Sequence, residues 1–274
     1  TSGYGNILIG EQPGSAHDDS SYNVVIGYRA GANGTSGGGD NNVIVGAQAG
    51  GQQATMTGGN NTILGMQAMQ YATSANGNIS IGWDSANALT TGDYNIFMGY
   101  SAGSNTTDVD YSVIIGFQAG VGVMTSDADG TIAIGYKAAN ALTSGIGNTA
   151  IGYQALDAED DGDYNTAVGY EALTAQTGTS GEVGNTAVGY KAGHDTTTGV
   201  GNTLLGYSAG LNLVDDRHNT LIGYLAGEKV GTGPQYAGEH NTMVGSEAGQ
   251  QITGSKNVIM GYQAGHGKHA SAPF

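Results

Sequence analysis

The chain has 274 residues, of which 51 are glycine, 3 are proline and none is cysteine, and its net charge is −16. Collagen is excluded, because it needs glycine at every third position and abundant proline; disulfides and thiolate metal sites are excluded outright. With 7 Lys and Arg there is no basic footprint for nucleic acid or for an anionic membrane surface, while 38% apolar residues are too many for a disordered chain.

Taken in chain order, the predicted elements are fifteen copies of one motif: Asn, three apolar or β-branched residues, then glycine. The anchor glycines are Gly10, Gly27, Gly46, Gly65, Gly82, Gly99, Gly116, Gly135, Gly152, Gly169, Gly189, Gly206, Gly223, Gly245 and Gly261, and eight of their fourteen spacings are 17 residues. Length varies only in the linking segments. Asn precedes the triplet in 13 of 15 copies, with Ser112 and Thr131 as exceptions. Asn bonds locally and tolerates unusual backbone angles, so it marks a corner. Stacked coils would align these residues into a ladder.

The triplet reads as a strand. Its first residue is always β-branched, its third always aliphatic or Met, and its second apolar in 14 of 15, Ser80 excepted. Such a strand is apolar on both faces, and both are expected to be buried. On that reading Ile114→Asp should block assembly. After the glycine comes an aromatic in 11 of 15 copies, then a polar residue in 14, then Ala in 13. This predicts a second strand with Tyr and Ala on one face and polar residues on the other. The remaining residues have loop composition.

A period near 17 is too short for helical repeats or propeller blades. The predicted fold is all-β: a parallel β-solenoid of fifteen coils of about 17 residues over 1–265, with 266–274 as a C-terminal tail or junction. No apolar stretch is long enough for a signal or transmembrane segment. The chain opens on Thr1, which reads as a mature or excised piece of a longer protein. A doubly apolar strand left exposed would make one continuous stripe, so a homo-oligomer is expected.

The string Asn-Thr-Ala-Ile-Gly-Tyr-Gln-Ala-Leu from Asn148 to Leu156, with copies at Asn165 and Asn185, resembles the head repeats of trimeric autotransporter (YadA-like) adhesins. It is as similar to repeat regions of bacteriophage tail fibres. The resemblance covers Gly5 to about Gly265. It implies a left-handed β-roll, three parallel chains around one axis, and a role in attachment outside the cell, on a cell surface or a virion tail. The coils here are longer and carry an aromatic where adhesin heads have a smaller residue, and these 274 residues contain no coiled-coil heptads or anchor barrel, so both alternatives stay open.

The expected function is that of a non-enzymatic fibre or adhesin segment binding a cell-surface glycan or receptor. The alternative is a structural spacer or self-assembling filament without a ligand. No nucleophile triad, phosphate loop or paired carboxylates depart from the repeat, so no catalysis is expected. Ligand contacts are expected in the three longest linking loops, 32–41, 174–184 and 228–240, at Asn33, Thr35, Gln176, Lys229, Pro234 and Tyr236. The tyrosine column is read as packing against the core or a neighbouring chain rather than stacking on carbohydrate. Acidic residues concentrate around Asp157, Glu159, Asp160, Asp161 and Asp163. Ca2+ would be sought at Asp157, Asp160, Asp161 and Asp163, but neither an EF-hand loop nor a calcium-roll nonapeptide is present, and a solvated acidic edge is the reading adopted. His218 and His240 share one slot in consecutive coils, where a metal could be held; no cofactor is otherwise expected. Thr recurs at the first strand position from Thr149 to Thr242, as in ice-binding arrays, but Val and Ile elsewhere suit a buried slot better.

Overall fold

Each strand of the main stack is three residues long because its neighbours cannot extend it. The anchor glycines take φ between 121° and 146°, a region closed to side chains. They also sit directly over one another: a Cβ on Gly27 would lie 2.7 Å from the Gly46 carbonyl oxygen of the next coil. The computed structural model describes residues 3–14, 19–32, 39–51, 56–177, 181–230, 238–252 and 254–266.

The chain is a parallel β-solenoid, and it divides into two compact units, 1–136 and 137–274. The strands of the first are β1 (Ile7–Ile9), β2 (Val24–Ile26), β3 (Val43–Val45), β4 (Thr62–Leu64), β5 (Ile79–Ile81), β6 (Ile96–Met98), β7 (Val113–Ile115) and β8 (Ile132–Ile134). They pair in sequence order, parallel and in register, for example Val113 with Ile132. The second unit holds β9 (Thr149–Ile151), β10 (Gly162–Asp163), β11 (Thr166–Val168), β12 (Gly181–Glu182), β13 (Thr186–Val188), β14 (Thr203–Leu205), β15 (Thr220–Ile222), β16 (Thr242–Val244) and β17 (Val258–Met260). Seven of these stack in register, and β10 pairs with β12 in a small separate sheet. Helix is confined, among the described residues, to a single 3-10 turn at Ser126–Ala128.

The Asn ladder forms along each stack. The side-chain carbonyl of Asn61 accepts from the backbone N–H of Asn78 (2.9 Å), and that of Asn78 from Asn95 (2.8 Å). Asn78 Nδ2 in turn donates to the Gly92 carbonyl at 2.8 Å. These buried amides are therefore satisfied from coil to coil. Ser112 keeps the ladder running where Asn is absent, its Oγ accepting from the Thr131 N–H at 3.1 Å.

Two expectations are corrected. First, the segment after the anchor glycine is a turn rather than a second strand. The residue after the aromatic position has φ between 49° and 60° in all fifteen coils, a left-handed conformation costing about 1 kcal/mol for a non-glycine residue. The turn still hydrogen-bonds along the stack, as from Gln118 N–H to the Tyr100 carbonyl at 2.9 Å. The reversal of hand puts Tyr and Ala on opposite sides: the alanines are buried, Ala264 in the last coil half-buried, whereas the aromatics are exposed. Second, the middle residue of the first strand faces the core of its own chain and not a partner. The middle residue is buried in every coil but the first, while the first and third residues are half-buried or exposed. Ile114 thus belongs to the core of its own chain, and Ile114→Asp would unfold the coil before it blocked assembly.

The exceptions to the pattern have a packing reason. Ser80 lies in register with Phe97, the largest fully buried side chain. Ser80 Oγ donates to the Ser85 carbonyl (3.0 Å) and Ser85 Oγ to the Phe97 carbonyl (3.2 Å). Two small residues in one coil make room for the ring above and satisfy their own hydroxyls.

Candidate functional site

The outward positions of the strands form the first candidate surface. In unit 1 they pair Ile7 with Ile9, Val24 with Ile26, Val43 with Val45, and so on to Ile132 with Ile134, and none of the sixteen is charged. In unit 2 the first position becomes Thr in six of seven main strands, Val258 excepted, and the third stays aliphatic or Met. The slot that was expected to be buried is the partly wet one: Thr186 and Thr203 are exposed and Thr149, Thr166, Thr220 and Thr242 half-buried.

The aromatic column is the second. In unit 2, Tyr153, Tyr170, Tyr190, Tyr207 and Tyr224 stack with centroids 4.8–5.3 Å apart. In unit 1, Tyr100, Phe117 and Tyr136 stack in the same way, and Trp83 meets Tyr100 edge-on at 5.2 Å. They do not pack into the core of their own chain, one of the two packings expected. Their faces are turned to one another, so what they offer solvent is chiefly ring edges and hydroxyls, a poor platform for stacking on sugar rings. Beside the column, Glu171 accepts from Lys191 Nζ at 3.0 Å and lies 3.4 Å from His194 Nε2. Partial desolvation pushes the Glu171 carboxyl up, but hydrogen bonds from Lys191 and Tyr170 and the Lys191 charge outweigh it and hold the group below its ordinary range.

The acidic cluster is organised around a residue outside the expected calcium set. Glu159 is buried, and its Oε1 accepts from the N–H groups of Asp160 (3.1 Å), Asp161 (3.2 Å) and Gly162 (2.8 Å), while its Oε2 accepts from Gln176 Nε2 at 2.6 Å. Desolvation raises its pKa against those hydrogen bonds. Glu159, Asp160 and Asp161 approach within 4.8 Å of one another. Asp157 instead accepts from Gln154 Nε2 (2.9 Å), and Asp163 from the Ile146 N–H one coil back (2.9 Å). The carboxylate at the centre works as a turn clamp, with both oxygens engaged.

The histidine pair does share a column: the rings of His218 and His240 stack with centroids 5.1 Å apart. Ring nitrogens bind metal in the ring plane at about 2.1 Å, so stacked rings at this distance do not aim at a common ion. Gln176 is fully buried, bonded to Glu159 and, through its Oε1, to Asn185 Nδ2 at 3.0 Å, and is not available at the surface. Lys229 is exposed on the last turn before its loop, its backbone N–H donating to Gln250 at 2.9 Å. Asn33, Thr35, Pro234 and Tyr236 lie outside the described residues.

Sequence reasoning missed Asp216. It is buried, its Oδ1 accepts from the Gly238 N–H, and its Oδ2 has no hydrogen-bond partner among the described residues. Burial is the main reason its pKa rises to about 6. The signal was available. Three residues before the corner Asn, the neighbouring coils carry Gly199 and Gly238, and an aspartate in that column is out of place.

Comparison with family models, with curated proteins and with solved structures gave no match.

Proposed function

We propose that this chain is a non-enzymatic segment of an extracellular surface fibre, on a cell surface or a virion tail, that serves attachment to a cell-surface glycan or receptor. The observation that carries the reading is the direction of the hydrogen bonds. Strands lie across each stack and their bonds run along it, from the Ile79 N–H to the Asn95 carbonyl (2.8 Å) and from the Gly82 N–H to the Leu64 carbonyl (2.8 Å), with the Asn ladder parallel to both. A load along such a stack is shared by many bonds in each coil, which suits a shaft. The fibre is an assembly of copies, three if the adhesin and tail-fibre resemblance carries over.

The test is saturable binding of fluorescently labelled protein to a panel of bacterial cells and isolated capsular and lipopolysaccharide glycans, with unlabelled protein as competitor. Competed binding to one surface supports attachment. Absence of saturable binding throughout would leave the spacer reading in its place.

A further inference from the structure

We infer that the outer face of the unit 1 sheet is the seat of a second copy of this chain. This deepens the fibre reading and rests on it only in taking the copies to associate. The face consists of the first and third residues of β1 to β8, among them Ile96, Met98, Val113, Ile115, Ile132 and Ile134. Three properties select the occupant. The first is charge. The chain carries −16, so two copies repel over most of their surface, yet these sixteen positions hold no charge and allow close approach. The second is period. The side chains repeat once per strand spacing, and a second copy matches that repeat at every rung without adjustment. The third is area. Eight rungs about 4.8 Å apart and three residues wide give roughly 400 Å² of apolar surface, the size of patch that on a single chain is often an interaction site. Two copies sealed over this face alone would bury roughly 800 Å², a small interface by the usual scale. Association is therefore expected to depend on concentration.

The contrast with unit 2 shows which change the fold tolerates. There the same strand position is Thr in six of seven rungs, with the same register and the same buried middle residue. Polarity at this position alters the face and leaves the coil intact.

The experiment is light scattering and native mass spectrometry on the full chain across a concentration series. Wild type is expected at multiples of 27.5 kDa. The triple variant Ile96→Lys, Val113→Lys, Ile132→Lys should stay at one chain with an unchanged circular dichroism spectrum. A matched variant, Gln12→Lys, Gln48→Lys, Gln118→Lys, adds equal charge at turn positions where Lys137 and Lys191 already show that lysine fits; it should still associate. If the first triple fails to fold, Ile96→Thr, Val113→Thr, Ile132→Thr should raise the dissociation constant at least about tenfold. Wild type that stays a single chain up to its solubility limit, or outer-face variants that associate as wild type does, would overturn the inference. Neither result depends on whether the fibre adheres to any surface.

Discussion

Gly50 lies against Ile44: a Cβ on Gly50 would stand 3.1 Å from Ile44 Cδ1 and 3.2 Å from its Cγ2. The relationship recurs between residues six apart. Gly120 sits beside Ile114 and Gly265 beside Ile259 at similar distances, and Gly210 and Gly227 closer still to Leu204 and Leu221. Where the strand residue shrinks to Ala150 or Ala167, the partner grows to Leu156 or Leu173, all four fully buried. In these coils one of the two positions supplies a large side chain and the other makes room for it. Ile63 and Met69 are both large, and the flexible Met chain suits such a place; Ser80–Ala86, Ala133–Ala139 and Ala187–Gly193 are pairs of small residues.

The consequence is a compensating pair. Ile44→Ala should destabilise by about 2–5 kcal/mol through the cavity it leaves, and Gly50→Leu by about 1–3 kcal/mol through overpacking. The double variant reproduces the Ala150–Leu156 arrangement, and Leu156 already occupies φ 55° where Gly50 has φ 65°. It should recover most of the loss in urea melts. Strictly additive losses would disprove the pairing.

The Glu159 clamp predicts that Gln176→Ala leaves a buried carboxylate oxygen unpaired. The expected cost is about 1–3 kcal/mol. Because burial raises the Glu159 pKa, the penalty should be largest at neutral pH, where the group is charged, and shrink on acidification. Thermal melts at two pH values would show it.

Asp216 has a pKa raised from 3.8 to about 6. A folded value above the unfolded one means that its stabilising contribution is complete below pH 3.8 and is lost as pH rises through about 6. The full swing is at most about 3 kcal/mol. Asp216→Asn should therefore leave stability at pH 4 nearly unchanged and raise it at pH 7. Equal urea midpoints for variant and wild type at pH 7 would contradict the assignment.

The tyrosine stack predicts a graded response. Tyr190 contacts Tyr170 and Tyr207 at 5.3 and 4.8 Å, and each aromatic pair is worth about 0.5–1.5 kcal/mol. Tyr190→Ala should cost about 1–3 kcal/mol, and Tyr190→Phe should be nearly neutral. A large loss in the Phe variant would mean that the hydroxyl, rather than the ring stack, supports the column.

The repeat alone determined that this protein is a parallel solenoid, where its rungs lie and that Asn forms a ladder, because in-register stacking forces like residues over like and spacing is a covalent property. It also located the shared slot of His218 and His240. The tertiary structure decided which way side chains point. The segment Tyr-polar-Ala alternates like a strand, but a left-handed residue at Gln118 and its counterparts reverses the chain, which carries Tyr outward and Ala inward. Alternation along a sequence does not report the sign of φ. Likewise three apolar residues in a row do not say how many faces are covered; that depends on what packs against each face, and here the core fills one side only. Burial of Glu159, Gln176 and Asp216 was equally undecided by composition, since all three lie in polar linking segments that the stack folds back over its own core.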